Sequence, residues 1–184
     1  MSRTGSQHQP VRTGTGKAIS SHAPTAGPTP HGNGARRQSP SQKDVSLMDA
    51  LYTAVATATH GRDGRAVLSD GSLDLQLATP KELGGSGKGN NPEQLFAAGY
   101  AACFASALGV TGRQAGVDLS NATVTGEVSI GKQGGGFGLA VVLRITLPSS
   151  VDRGTGGDLV DQAHQICPYS NAVRGNVPVQ IVVE

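Results

Sequence analysis

From Asp49 onward, apolar side chains recur with two different periods, and the change of period divides the chain into elements. Leu51, Thr53, Val55, Thr57 and Thr59 alternate with Tyr52, Ala54, Ala56 and Ala58, which predicts a β-strand. Gly61-Arg62-Asp63-Gly64 reads as a turn. Ala66 to Ser69 and the Leu73, Leu75, Leu77 alternation predict two strands joined at Asp70-Gly71, a hairpin signal. A loop rich in Gly and Lys fills 79–90. The clearest helix follows. Asn91 can cap it, Pro92 suits its first position, and Glu93 favours the positive end of its dipole. From Leu95 to Leu108 it is apolar nearly all round and dense in Ala, so it is expected deep inside. Val124 to Ile130 and Phe137 to Leu147 predict a hairpin across Gly134-Gly135-Gly136. Leu159, Val160, Ala163, Ile166 and Cys167 fall at helical spacing, and Pro168 disfavours helical geometry at Cys167, so a boundary or kink is expected there. Val177 to Val183 predict a last strand. The order β-β-β-α-β-β-α-β defines an α+β fold with strands in hairpins and a buried helix.

Composition refines this picture. The 184 residues suffice for one domain with a sizeable core, and with 3% aromatics and no Trp that core must be aliphatic. Residues 1–43 carry six Lys or Arg, no Asp or Glu, and seven apolar residues, a composition that cannot offset the entropy of ordering it. Residues 1–47 are therefore expected to be a disordered basic extension, with 48–184 the folded domain. The extension has a faint transit-peptide character that its Pro and Gly oppose, and it lacks the apolar stretch of a secretory signal. Translation starting at Met48 is an alternative that the intact mass of the endogenous protein decides. Residues 44–184 carry nine basic against thirteen acidic groups, which argues against nucleic acid as a partner. No run of about 18 apolar residues occurs, so no membrane span is expected, and the expected location is the cytoplasm.

The candidate chemistry rests on two cysteines. Cys103 and Cys167 stand 64 positions apart with no C-x-x-C, and spacing alone leaves open whether they meet. Free Cys often serves as a small buried hydrophobe. Here one follows a helix start, the other sits at a helix end, and both lie among small residues that leave room for a ligand. Zinc is disfavoured, because His60 and His164 are the only histidines in the patterned region and neither has finger-like spacing to a cysteine. A Cys–His hydrolase is a rival, with Cys103 as nucleophile and His164 as base; a satisfied helical histidine is the plainer role for His164.

Three segments resemble a known family. Asn91-Pro92-Glu93-Gln94-Leu95-Phe96-Ala97-Ala98-Gly99-Tyr100-Ala101-Ala102-Cys103-Phe104 resembles the segment bearing the peroxide-attacking cysteine of organic hydroperoxide resistance proteins, part of the wider OsmC family. The stretch from Ala163 through Cys167-Pro168-Tyr169-Ser170-Asn171 to Asn176 is similar to the segment bearing their second cysteine. Leu51 to Ala54 and Thr59 to Gly64 resemble their N-terminal arginine motif, with His60 where Gly is expected. The resemblance covers about 48–184 and implies an OsmC-like fold, antiparallel sheets packed around a buried central helix in an intertwined homodimer. It also implies roles. Cys103 would attack the hydroperoxide as a thiolate and become a sulfenic acid. Arg62 would lower its pKa, and Glu93 would hold the Arg62 fork. Cys167 would condense with the sulfenic acid to a disulfide. Dihydrolipoamide or a lipoylated protein would supply the dithiol that recycles it, with no bound cofactor or metal.

Glu93 and Cys103 are ten residues apart, about 15 Å along one continuous helix. One guanidinium cannot easily reach both. Either the helix is interrupted, or a twofold dimer brings Glu93 of one chain toward Cys103 of the other. Phe96, Tyr100 and Phe104 are expected to line an apolar pocket that prefers alkyl or fatty-acid hydroperoxides to hydrated H2O2.

Overall fold

A computed structural model describes residues 49–184; the expected disordered extension, 1–47, lies outside the described residues. The elements follow the expected order: β1 (Ala56–Thr59), β2 (Arg65–Leu68), β3 (Asp74–Gln76), α1 (Pro92–Ala115), β4 (Thr123–Gln133), β5 (Gly136–Thr146), α2 (Arg153–Ile166), α3 (Pro168–Val173) and β6 (Val179–Val183). The break between α2 and α3 falls at Cys167, held extended at φ −65°, ψ 121° in front of Pro168.

The strands form two three-stranded sheets, β1-β2-β3 and β4-β5-β6. The first is antiparallel, with Ala58 opposite Ala66 and Ala66 opposite Leu75. The second corrects the expectation of antiparallel sheets, because β6 runs parallel to β5 with Val141 opposite Val179. The reason is the connection: α2 and α3 intervene in the chain between β5 and β6, and a crossover of that length, unlike a tight hairpin, can deliver a parallel strand. β1 is also shorter than the alternation from Leu51 suggests. Leu51, Tyr52 and Val55 are exposed, Leu51 fully.

α1 begins with a reciprocal cap. The Asn91 side chain accepts from the Gln94 N–H at 2.9 Å, and the Gln94 side-chain oxygen accepts from the Asn91 N–H at 3.0 Å. It ends at Gly116, whose φ of 68° suits glycine. Tyr100, Phe104, Ala107, Leu108 and Thr111 form its buried stripe, packed with Leu143, Ile145, Val160, Ala163 and Cys167. Tyr100 and Phe104 are 0% exposed. Gly126 lets β4 cross α1 closely, since a Cβ there would lie 2.8 Å from the Ala97 carbonyl oxygen.

The other face of α1 is uncovered. Ala98, Ala102 and Ala105 are exposed, as is β1 on both faces. By length and composition alone α1 is apolar enough to cross a bilayer, although α2 and β4 pack against it.

Candidate active site

Arg62 is presented by a turn of unusual backbone. His60 (φ 56°) and Gly61 (φ 58°) are both left-handed, and Gly61–Asp63 then closes a 3-10 turn. His60 thus occupies a conformation that favours glycine. Gly64 has no alternative, because a Cβ there would lie 1.7 Å from the Thr59 carbonyl oxygen. Asp63 ties the turn to the following loop, accepting from the Thr79 N–H at 2.9 Å and the Thr79 hydroxyl at 3.1 Å. Ala78 in turn bonds Asn90, immediately before the α1 cap. This chain of local bonds brings the start of α1 to Arg62. Its Nη1 and Nη2 donate to Glu93 Oε2 and Oε1 at 2.8 and 2.6 Å, a bidentate pair. The bonds from Arg62 hold the Glu93 carboxyl below the usual carboxylate range, against the opposing effect of burial.

Cys103 and Cys167, both free thiols, are brought together from α1 and the α2–α3 break. Their Sγ atoms are 3.5 Å apart, with Cys167 donating. A disulfide requires about 2.05 Å, so a small side-chain rotation separates the observed state from a covalent bond. Cys167 is 0% exposed and Cys103 is partly exposed. Burial pushes the Cys103 thiol above its ordinary value and the adjoining Cys167 adds to the rise, while the Tyr169 backbone N–H opposes it.

The four expected residues thus form two pairs, Arg62–Glu93 and Cys103–Cys167. α1 is continuous from Pro92 to Ala115, so the option of an interrupted helix is removed. Among the described residues, no cation acts on Cys103 within the chain. The Arg62–Glu93 pair lies within one chain.

One expectation is corrected. Tyr100 and Phe104 lie on the α1 stripe that faces the core and are fully buried there, not on a pocket wall; of the three expected aromatics only Phe96 is partly buried. An open groove of about 400 Å³ lies instead beside Glu93, lined in part by Leu83, Ala97, Val128 and Ile130. His164 has the plainer role expected of it, a helical histidine with a bonded ring: its Nδ1 is 2.9 Å from the Ser170 Oγ. Burial of the ring and the nearby Arg174 hold its pKa below the ordinary histidine value. Asp63, Tyr169 and Ser170 were given no role by sequence reasoning. The Gln94 half of the cap was legible, since a cap residue followed three positions later by Gln is a capping-box signal.

The family model described as OsmC-like protein matches residues 85–182. An organic hydroperoxide resistance protein of Xanthomonas axonopodis pv. citri is 54% identical over 135 residues, which cover 72% of this chain and 94% of that protein. The organic hydroperoxide resistance protein OhrB of Bacillus subtilis is 42% identical over 134 residues, 72% of this chain and 97% of the relative. A crystal structure of an organic hydroperoxide resistance protein from Legionella pneumophila superposes with a TM-score of 0.71 at 46% identity, covering 73% of this chain and 98% of that one. The chain belongs to the OsmC family, in its branch of organic hydroperoxide resistance proteins.

Proposed function

We propose that the chain is a thiol peroxidase that reduces alkyl or fatty-acid hydroperoxides to alcohols in the response to oxidative stress. The observation that carries this reading is the 3.5 Å separation of two sulfurs 64 positions apart. The names of the relatives, organic hydroperoxide resistance proteins, support the substrate class. In the first step the Cys103 thiolate attacks the distal peroxide oxygen. The O–O bond breaks, sulfur is oxidised to the sulfenic acid, and the departing alkoxide takes a proton to become the alcohol. In the second, the Cys167 sulfur attacks the Cys103 sulfenic sulfur, forming the disulfide and releasing water. An external dithiol, dihydrolipoamide or a lipoylated protein, then returns two electrons and two protons. No bound cofactor or metal takes part, and the cycle runs in the cytoplasm.

The working unit is an intertwined homodimer in which Arg62, held by Glu93 of its own chain, serves Cys103 of the other. Two observations support it. The chain alone raises the Cys103 pKa, whereas the first step needs a thiolate. A sheet of short strands and a helix face of alanines also stand uncovered, and a three-stranded sheet without a packed face is not independently stable. The apolar groove beside Glu93 would then receive the alkyl tail. A Cys–His hydrolase is disfavoured because His164 bonds Ser170 while Cys103 pairs with Cys167, so no nucleophile–base hydrogen bond joins His164 to Cys103 among the described residues.

The test is consumption of cumene hydroperoxide in the presence of dihydrolipoamide. Wild type turns over, and faster than with H2O2; Cys103→Ser does not consume peroxide; Cys167→Ser oxidises but is not recycled through a disulfide. Consumption by Cys103→Ser at the wild-type rate overturns the reading.

A further inference from the structure

α3 has only six residues and yet is tied to both α1 and α2. Tyr169 lies over Gly99, where a Cβ would come within 3.1 Å of its hydroxyl oxygen, and stacks on Phe96 with centroids 6.0 Å apart and planes at 17°. The next residue, Ser170, is 0% exposed. Its Oγ is 2.9 Å from the hydroxyl of Tyr100 on α1 and 2.9 Å from Nδ1 of His164 on α2. At the far end Arg174 Nη2 donates to the His164 carbonyl at 2.9 Å. The three hydrogen-bonding side chains sit on three different helices and meet at one hydroxyl. That hydroxyl is three residues from Cys167 and on the same turn.

None of these groups touches either sulfur in a way the peroxidase cycle uses, and a buried polar chain is costly to keep unless each member is satisfied. A neutral His164 lets Nδ1 accept from the Ser170 hydroxyl while Tyr100 O–H donates to Ser170 Oγ, so every member has a partner. Burial favours that state at both ends, holding the histidine pKa down and the tyrosine pKa up. What the chain fixes is the start of α3. Cys167 is the residue before α3, its Sγ must stay within a short rotation of Cys103, and the backbone N–H of Tyr169 in α3 bears on the Cys103 sulfur.

We propose that Tyr100, Ser170 and His164 form a positioning chain for Cys167: by locking the first turn of α3 to α1 and α2, they hold the second sulfur close enough that the Cys103 sulfenic acid is captured as a disulfide before a second peroxide oxidises it. The inference rests on the peroxidase reading above and concerns its second step. The competing fate is attack of the Cys103 sulfenate sulfur on another hydroperoxide, which gives the sulfinic acid and another alcohol. The chain sets the ratio of these two outcomes. Its members are positioning residues, since they act through Cys167.

The ratio is measurable without any reductant. The full-length protein, reduced and freed of excess thiol, is mixed with cumene hydroperoxide. Sulfenic acid formation is followed by trapping with dimedone, and disulfide and sulfinic acid are followed by intact mass. In Ser170→Ala the rate of disulfide formation relative to sulfenic acid formation falls on the order of fivefold to tenfold, the weight of one buried hydrogen bond, and sulfinic acid accumulates. Tyr100→Phe removes a single oxygen while keeping the ring in the core, and shifts the ratio the same way. It decides the matter if Ser170→Ala fails to fold. His164→Leu lowers the ratio, and His164→Asn, whose amide can stand near the position of Nδ1, restores it. A purely structural role would lower the melting temperature and leave the ratio alone. A wild-type ratio in Ser170→Ala and Tyr100→Phe overturns the inference and leaves the peroxidase reading intact, whereas absence of any disulfide in wild type overturns the reading itself.

Discussion

Glu93 and Cys103 show how one helix places two ionisable groups in opposite surroundings. Glu93, at the second position of α1, receives both arms of Arg62, and its folded pKa lies below the ordinary carboxylate value. A depressed pKa means that the pair stabilises the fold above the ordinary carboxylate range, and that this contribution disappears as pH falls through the lowered folded value. Arg62 is 38% exposed, so solvent screens the pair and the effect at neutral pH is at most about 1 kcal/mol. Glu93→Gln is therefore expected to unfold earlier in urea at neutral pH and to match wild type once both are well below the carboxylate range. A difference that persists unchanged into acid would show that the residue acts by packing instead. Cys103 is the reverse case, its thiol pushed above the ordinary value by burial within the single chain. Nothing at the residue scale in the sequence distinguished the two; both were legible as candidates only through the segments around them.

The elements were legible where local chemistry decides them. Asn91-Pro92 announces the start of α1, and Pro168 announces the break at Cys167; the last turns of α1, from Gly109 to Ala115, carry the helix beyond the apolar run that ends at Leu108. Elements decided by distant contacts were not. The direction of β6 depends on the path of α2, and the core position of Tyr100 and Phe104 depends on which stripe of an all-apolar helix finds α2 and β5. The approach of Cys103 to Cys167 was reached through family likeness, because no spacing rule relates sulfurs 64 positions apart. At the arginine turn the expectation of glycine came from the family resemblance, and the backbone agrees with it: His60 stands at a position suited to glycine, and its φ is 56°. A left-handed non-glycine residue carries about 1–2 kcal/mol of strain, partly offset by the greater freedom that glycine has in the unfolded chain. His60→Gly is accordingly expected to raise stability by roughly 0.5–1 kcal/mol in urea titration without altering peroxide turnover. A destabilised variant would mean that the imidazole makes a contact outside its own chain.

At the scale of the molecule, the described chain has a core on one side of α1 and none on the other. Ala98, Ala102 and Ala105 fall within one narrow arc of the helix and are exposed, opposite the buried stripe of Tyr100, Phe104 and Leu108. Small residues along a helix face permit close approach of another backbone, and exposed apolar surface of this extent marks an interaction site. A glutamate placed there would be buried without a partner in a twofold assembly. On the proposed dimer, Ala105→Glu is expected to sediment as a monomer, to lose peroxide turnover, and to alkylate at Cys103 only at higher pH than wild type, since the second chain's Arg62 would be withdrawn. A variant that remains dimeric with an unshifted alkylation profile would contradict the shared site.

The complete enclosure of Cys167 also has a directional consequence. With none of its surface open to solvent, an incoming dithiol can reach the oxidised pair from the Cys103 side alone. In the proposed cycle the transient cross-link between protein and reductant would then form at Cys103, with Cys167 departing inward as the leaving thiol. Regeneration would begin at the atom proposed to meet the peroxide first, through the same doorway.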